Sequence, residues 1–190
     1  MGFHTFDPSK ADRLDDVSRY RFCSREELLG GLGVGSENGE HDDTHLVDLG
    51  SGTGFYTAAL APFVGRVSAV DIQPQMHDQF RENGVPENVE LVESSTDSLP
   101  LADGAADAAV STMTAHELPL ASTLTELKRV LDLDSPVVVV DWSSRGRGEA
   151  GPPLSERRDA EFVADTLADA DFTVETATER GETFFVQARS

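Results

Sequence analysis

Between a short apolar run and the next helical segment the chain reads VDLGSGTG, Val47 to Gly54, which sets Gly50, Gly52 and Gly54 at two-residue spacing. Glycines so placed let the backbone turn sharply and let a ligand approach main-chain amides that a Cβ would screen. At the carboxyl end of a first strand they lie where open α/β sheets hold their ligands. Asp71 closes the next apolar run, twenty-one residues beyond Gly50, and a carboxylate there accepts both hydroxyls of a ribose. Glycines and acid together predict a nucleoside-bearing ligand at the tips of two adjacent strands.

Two ligand classes use this arrangement. A dinucleotide site is expected to read GxGxxG, and counted from Gly50 its last glycine falls on Phe55. Asp48 discriminates further. Next to a pyrophosphate its carboxylate is repulsive, whereas next to S-adenosylmethionine, which carries a sulfonium and an ammonium and no phosphate, it is favourable. The residues therefore favour the methyl donor over NAD.

The quoted motifs resemble those of class I S-adenosylmethionine-dependent methyltransferases, in a family with quinone-biosynthesis methylases among its members. The likeness covers roughly residues 24 to 190. It rests on DLGSGTG (Asp48–Gly54), on VDIQPQM (Val70–Met76) and on ESSTDSLPLADGAADAAVS (Glu93–Ser111), which is similar to the family's GDAxxLPFxDxxFDxVxS. The resemblance implies a Rossmann-like, mostly parallel seven-stranded sheet of order 3-2-1-4-5-7-6, with its last strand antiparallel and helices on both faces. It also implies adenosine over Asp71 and Ile72, and methionine near Asp48, Gly50, Ser51, Gly52, Gly54 and, on the fourth strand, Ser111. The acid that usually meets the adenine amino group falls on Ser95, with Thr96 beside it and Asp97 two places on. Either Ser95 makes a neutral contact or Asp97 reaches in from a shifted loop. Alanine for phenylalanine at position 106 is a milder departure and concerns packing.

Methyl transfer is a direct displacement that needs the acceptor held in line with the methyl carbon, and a general base helps when the acceptor is a hydroxyl. His116, in STMTAHELP after the fourth strand, is the best-placed candidate, with Glu117 adjoining it; the alternative is a histidine that caps the next helix. Asp141 and Trp142 end the fifth strand on the same rim, where the acid serves either a substrate or its own strand end. Arg157 follows Gly151, Pro152 and Pro153 and resembles a GPPxxxR segment of related small archaeal members; it holds an acceptor or pairs with surface acids. Tyr20 and Phe22 form an aromatic lid or pack on the sheet edge. His41, Asp42, Asp43 and His45 sit in a loop without ligand periodicity, so no metal is expected. Cys23 reads as a small buried apolar residue.

The elements that position these residues alternate. Strands are predicted at Leu46–Leu49, Arg66–Asp71, Val89–Glu93, Asp107–Met113 and Pro136–Trp142, the last (PVVVVDW) apolar enough for burial on both faces. Helices are predicted at Gly54–Ala61 with Pro62 as its stop, at Pro74–Asn83, and at Pro119–Leu131, where Leu120, Leu124, Leu127 and Leu131 share a face. Ser155–Ala170 reads as a last helix, followed by a hairpin of Phe172–Thr178 and Thr183–Arg189. Ahead of the sheet, Ser24–Leu32 is a short helix capped by Ser24, Gly33–Thr44 is an acidic loop, and residues 1 to 22 carry no strong period. The expected organisation is one domain over 1–190, in which 1–44 is an N-terminal helical extension and acidic loop.

Composition narrows the function classes. The 190 residues carry 35 acids against 15 bases, a net charge of -20, and only Lys10 and Lys128 among the bases are lysines. Such a chain repels phosphate backbones, so nucleic acid is not expected as a direct substrate. The acids are spread among apolar runs, a pattern that fits a protein folded in strong salt, where self-repulsion is screened. One cysteine excludes an internal disulfide. The first residues lack the apolar stretch of a secretory signal and no run reaches membrane-spanning length, so a cytoplasmic location and no membrane insertion are expected. The partner expected is a small-molecule acceptor. The rival readings are a non-catalytic S-adenosylmethionine-binding subunit and an NAD-binding oxidoreductase.

Overall fold

A computed structural model describes residues 6–35 and 43–190. The run His45–Leu49 (β1) pairs in parallel with Arg66–Asp71 (β2) on one side and Ala108–Thr112 (β4) on the other. Val89–Glu93 (β3) extends the sheet past β2, and Pro136–Trp142 (β5) extends it past β4, both in parallel. The hairpin strands Thr173–Glu179 (β6) and Thr183–Arg189 (β7) complete the order β3-β2-β1-β4-β5-β7-β6, with β7 antiparallel to both neighbours. This is the expected order and the expected antiparallel strand.

The valine run of β5 shows why the sheet is buried on both sides. Val137 and Val139 face a core shared with Leu120, Leu124 and Leu127 of the helix Leu120–Val130 (α4) and with Val163 and Leu167 of Ala160–Asp169 (α5). Val138 and Val140 face the other core, built with Leu28 and Leu32 of Arg25–Leu32 (α1) and with Tyr56 and Leu60 of Phe55–Leu60 (α2). The period of two sends alternate side chains to opposite faces, so a strand with helices on both sides has to be apolar throughout. The remaining helix, Pro74–Asn83 (α3), buries Met76, His77 and Phe80. Ser24 caps α1 through a reciprocal capping box with Glu27. Cys23 is fully buried, and burial pushes its thiol up to about 12, so it behaves as an apolar core residue. No described helix is long and apolar enough to cross a membrane.

Two segments depart from the sequence expectation. Residues 8–21, read as aperiodic, form consecutive 3-10 helices, Pro8–Asp15 and Val17–Arg21. They are fixed by side chains: Thr53 and Asn83 donate to the Asp15 carboxylate at 2.5 and 2.9 Å, and Arg19 lies 5.3 and 5.1 Å from the rings of Phe55 and Tyr56. The helix expected from Ser155 is instead a 3-10 turn at Leu154–Glu156, and α5 begins only at Ala160, with Asp159 as its cap. Arg157 is extended, and Arg158 bridges to Ser143 while accepting from Ser144 N at 2.8 Å. The backbone of Arg158 is thus spent on prolonging β5, while Arg157 N donates back to Leu154 O.

Candidate active site

The glycine loop leaves β1 with Gly50, Gly52 and Gly54 all at positive φ (73, 55 and 84°). Conformation and space both demand glycine at the two ends: a Cβ on Gly50 would stand 2.3 Å from Thr114 Cγ2, and one on Gly54 2.3 Å from the Phe80 ring. The loop is bound to β2, where Gly50 N and Ser51 N both donate to Val70 O, at 2.8 and 2.9 Å. Asp71 joins the same construction. One of its carboxylate oxygens accepts from Gly52 N and the other from Gln73 N, each at 2.9 Å. Each oxygen keeps lone-pair capacity for a further donor, as two adjacent hydroxyls would supply. Burial raises the Asp71 carboxyl above its ordinary range, against the lowering effect of those two amides.

Asp48 lies beneath this loop, 1% exposed. Thr57 donates to one of its oxygens at 2.5 Å. The other oxygen, Oδ1, and the hydroxyl of Ser51 are buried with no partner among the described residues. Burial, opposed by the Thr57 bond and reinforced by the charge of Asp71, pushes Asp48 up to about 6. An unpaired buried carboxylate oxygen is costly. A cationic group brought to it relieves that cost, and an incoming phosphate adds to it. The residues present therefore fit a cationic ligand such as S-adenosylmethionine and oppose a dinucleotide.

Beyond Asp71, Ile72 stands 59% exposed as an apolar surface for a flat ring. Ser95 donates to Asp97 Oδ1 at 2.5 Å, so the two alternatives for the adenine contact are one hydrogen-bonded pair. The Thr96 hydroxyl is spent on Thr123 at 2.7 Å, tying the loop after β3 to α4. Ser111, 3% exposed, donates to Leu49 O at 3.1 Å and holds β4 to the end of β1. Both hydroxyls thus brace the site.

On the far side, β4 is followed by Met113, a non-glycine residue at φ 58° that turns the chain over the rim. Thr114 then donates to Gly50 O at 3.2 Å, which clamps this turn to the glycine loop. His116 follows, its side chain 9% exposed, with Nδ1 2.9 and 3.0 Å from the two Asp141 oxygens and Nε2 3.5 Å from Glu117 Oε1. Its backbone N–H also donates to Asp141 Oδ2, at 2.6 Å. Burial alone would lower the imidazole, but the hydrogen bonds and charges of Asp141 and Glu117 outweigh it and raise His116 to about 9. At neutral pH the group is an imidazolium. The charge of Glu117 adds to the raising of Asp71. The other Glu117 oxygen accepts from Phe6 N at 3.1 Å, while Gln73 donates to Phe6 O at 3.1 Å, so the N-terminal segment straps the start of α3 to the loop after β4.

Arg157 does not join this group. Its side chain is 1% exposed, and its guanidinium donates to Pro152 O at 2.8 Å, to Ser143 O at 3.4 Å, to Glu182 at 3.1 Å and to Ala150 O, with Trp142 beneath it. The donors of this residue, expected to hold an acceptor or to pair with acids, are committed to holding the 150–157 loop. The neighbour that does reach the site is Arg158. It donates to Ala115 O at 2.7 Å and to Leu118 O at 2.9 Å, the carbonyls on either side of His116 and Glu117. Successive side chains of extended backbone point to opposite sides, so a one-residue choice between two arginines decides which faces the cleft. Tyr20 packs on Phe55 and Phe22 on Trp142, with ring centroids 4.8 and 4.7 Å apart. His45 is buried at the amino end of β1, 2.6 Å from Ala105 O and 2.8 Å from Ser68 Oγ, at the opposite end of the sheet. His41 and Asp42 lie outside the described residues.

The chain is similar to known proteins in sequence and fold. The family described as a methyltransferase domain matches residues 47–139, from β1 through β5. A 66-residue stretch is 41% identical to the bifunctional biotin-biosynthesis protein BioHC of Cellvibrio japonicus, a match spanning 35% of this chain and 13% of that protein. The fold is shared with a geranyl diphosphate C-methyltransferase from Streptomyces coelicolor, solved with S-adenosyl-L-homocysteine (17% identity, TM-score 0.72, 98% of this chain and 84% of that one). A methyltransferase from Aquifex aeolicus described as SAM-dependent is 33% identical over 97% of this chain and 99% of its own, with a TM-score of 0.84. A likeness that runs the length of both chains, over a glycine loop built for a cationic nucleoside, leaves one assignment: this chain belongs to the class I S-adenosylmethionine-dependent methyltransferases, and S-adenosylmethionine is its methyl donor.

Proposed function

We propose that this methyltransferase acts on a small or medium-sized acceptor that enters beside His116. In this reading Asp48, Gly50, Ser51, Gly52 and Gly54 hold the amino-acid part of the donor and Asp71 its ribose hydroxyls. Ile72 and the Ser95–Asp97 pair take the adenine, with Thr96 and Ser111 bracing the pocket. The observation that carries it is the buried, unpartnered Oδ1 of Asp48, next to an Asp71 whose two oxygens are already oriented by backbone amides. The net charge of -20 supports an acceptor other than nucleic acid and an enzyme that works in strong salt, and a cytoplasmic location apart from membranes is part of the same proposal. The likeness of Glu93–Ser111 to the quinone-biosynthesis methylases makes quinone precursors the first class to try. The chain acts as one domain over 1–190, with 1–44 as its extension.

The test is label transfer. Given a donor with a labelled methyl group and a deproteinised, nucleic-acid-free cell extract, the protein is expected to move label into a low-molecular-weight product. Label that passes only to protein or nucleic acid when whole extract is supplied would contradict the reading.

A second expectation arises from Arg158. Replacing it with methionine removes the donors that hold Ala115 O and Leu118 O, and the turn carrying His116 loosens. Displacements of this kind cost about 10- to 100-fold in rate. Arg158→Met should therefore lower label transfer by that order while calorimetric donor affinity stays within about twofold, and Arg158→Lys should restore part of the rate. Equal losses of rate and donor affinity would assign Arg158 to general folding.

A further inference from the structure

A cavity of about 680 Å³ opens on the carboxyl rim beside the donor cleft, lined among others by Arg21, Phe22, Arg147, Glu149, Arg180 and Thr183. None of the donor-site residues named above lines it. Its place in the fold is fixed by register. Thr183 pairs with Trp142 across β7 and β5, and Trp142 follows Asp141, whose carboxylate holds His116. Phe22 lies on Trp142, so the cavity begins at the end of β5, on the face of the sheet opposite the Asp141 side chain.

Three arginines and three glutamates line this cavity, a balance that departs from the acid excess of the chain. Glu27 faces it but is paired with Arg180 at 2.8 Å. Glu182 is neutralised from within, by Arg157 at 3.1 Å and by the amides of Gly148 and Glu149 at 3.2 Å each. These bonds also fix the 147–150 wall in place. Arg21 and Arg147 are exposed and make no ion pair among the described residues, although the chain has 35 acids for 15 bases. Arg21 lies 4.5 Å over the Phe22 ring, an arrangement that leaves the edge N–H groups of a guanidinium free to donate. Among the lining acids only Glu149 remains uncommitted, while the charge of Asp16 acts on Arg21 from outside the cavity.

We propose that this cavity binds an anionic group, carboxylate or phosphate, on the end of the acceptor remote from the methylated atom. The inference rests on the methyl-transfer reading for calling the ligand the acceptor; the anion site itself stands on the cavity and its arginines. Guanidinium groups match the planar or tetrahedral oxygens of such anions with paired N–H donors, and the volume suits a small molecule. An acceptor spanning from His116 to Arg21 and Arg147 is thereby oriented at both ends.

Trp142 is the chain's single tryptophan and reports on the cavity by fluorescence, with calorimetry run in parallel. With S-adenosylhomocysteine present, at a salt concentration that keeps the protein folded, succinate and inorganic pyrophosphate are expected to bind saturably and neutral succinamide to bind at least tenfold more weakly. The double variant Arg21→Gln/Arg147→Gln should weaken anion binding at least tenfold and leave S-adenosylhomocysteine affinity within about twofold. The proposal is overturned if neither method detects saturable anion binding, if succinamide binds as well as succinate, if the double variant binds as the wild type does, or if the anions displace S-adenosylhomocysteine. A wild-type protein that binds the anions but not S-adenosylhomocysteine would strike the donor assignment instead, and would leave an anion site that is not an acceptor site.

Discussion

Replacing Asp71 with alanine should weaken binding of S-adenosylmethionine by about 1.5–3 kcal/mol, roughly 10- to 150-fold, the range for hydrogen bonds to a charged group. Two losses act together. The ribose hydroxyls lose their acceptor, and Gly52 N and Gln73 N lose theirs, so the glycine loop is no longer held in its ligand-ready shape. The fold should persist, because Asp71 ends β2 at the rim and the strand's pairing with β1 and β3 does not involve its side chain. Asp71→Asn keeps one acceptor oxygen and should fall between wild type and alanine. Calorimetry on protein whose cooperative melt is retained makes the measurement. Unchanged affinity in the folded alanine variant would remove Asp71 from the donor site.

His116 should govern turnover and its pH dependence. Once label transfer has identified an acceptor, His116→Ala is expected to lower kcat about 10²-fold on a hydroxyl acceptor and to leave donor affinity near that of the wild type. The sign of the pH effect follows from the raised value of about 9. Below it the imidazole is protonated and cannot accept the acceptor's proton, so the rate should climb as pH rises through the neutral range and level off once His116 is neutral. A bound sulfonium beside an imidazolium is repulsive, which moves the rise towards neutral pH in the donor complex. Asp141→Asn removes a charge that stabilises the imidazolium and should shift the same limb to lower pH. The alanine variant should lose that limb. A wild-type profile flat from pH 6 to 10, or an alanine variant that keeps the limb, would mean that His116 only holds the turn after β4. For an acceptor already deprotonated the expected loss is smaller, since positioning then suffices.

Much of this architecture is legible in the residues because the signals are local and repeated. The run PVVVV can be buried on both faces only inside an open sheet, and a hairpin after the last helix forces an antiparallel strand near the edge. The donor side is equally legible. The glycines and Asp71 have distinct backbone and charge requirements, and Asp48 is informative through its sign alone. The N-terminal 3-10 helices leave no such trace. They are held by Thr53, Asn83, Phe55 and Tyr56, partners distant in sequence, and not by an apolar period of their own. The start of α5 departs from local propensity for a related reason: the backbone of Arg158 pairs with Ser143 and Ser144, a tertiary preference that propensity does not contain. The same extended stretch made Arg157 look like the site residue when Arg158 is the one that reaches the 115–118 turn. His116 was identified by its place on the rim. Its charge state depends on Asp141, twenty-five residues on, and on the burial of the pair, and neither can be read from the residues around it.

The central claim is that the Asp48–glycine–Asp71 construction holds a cationic methyl donor. Isothermal calorimetry with S-adenosylmethionine, S-adenosylhomocysteine and NAD tests it most directly, under one set of conditions and on one preparation. The first two should bind, and NAD should show no detectable binding, because its pyrophosphate would meet the buried carboxylate of Asp48. Micromolar binding of NAD together with no response to either methyl-donor species would contradict it.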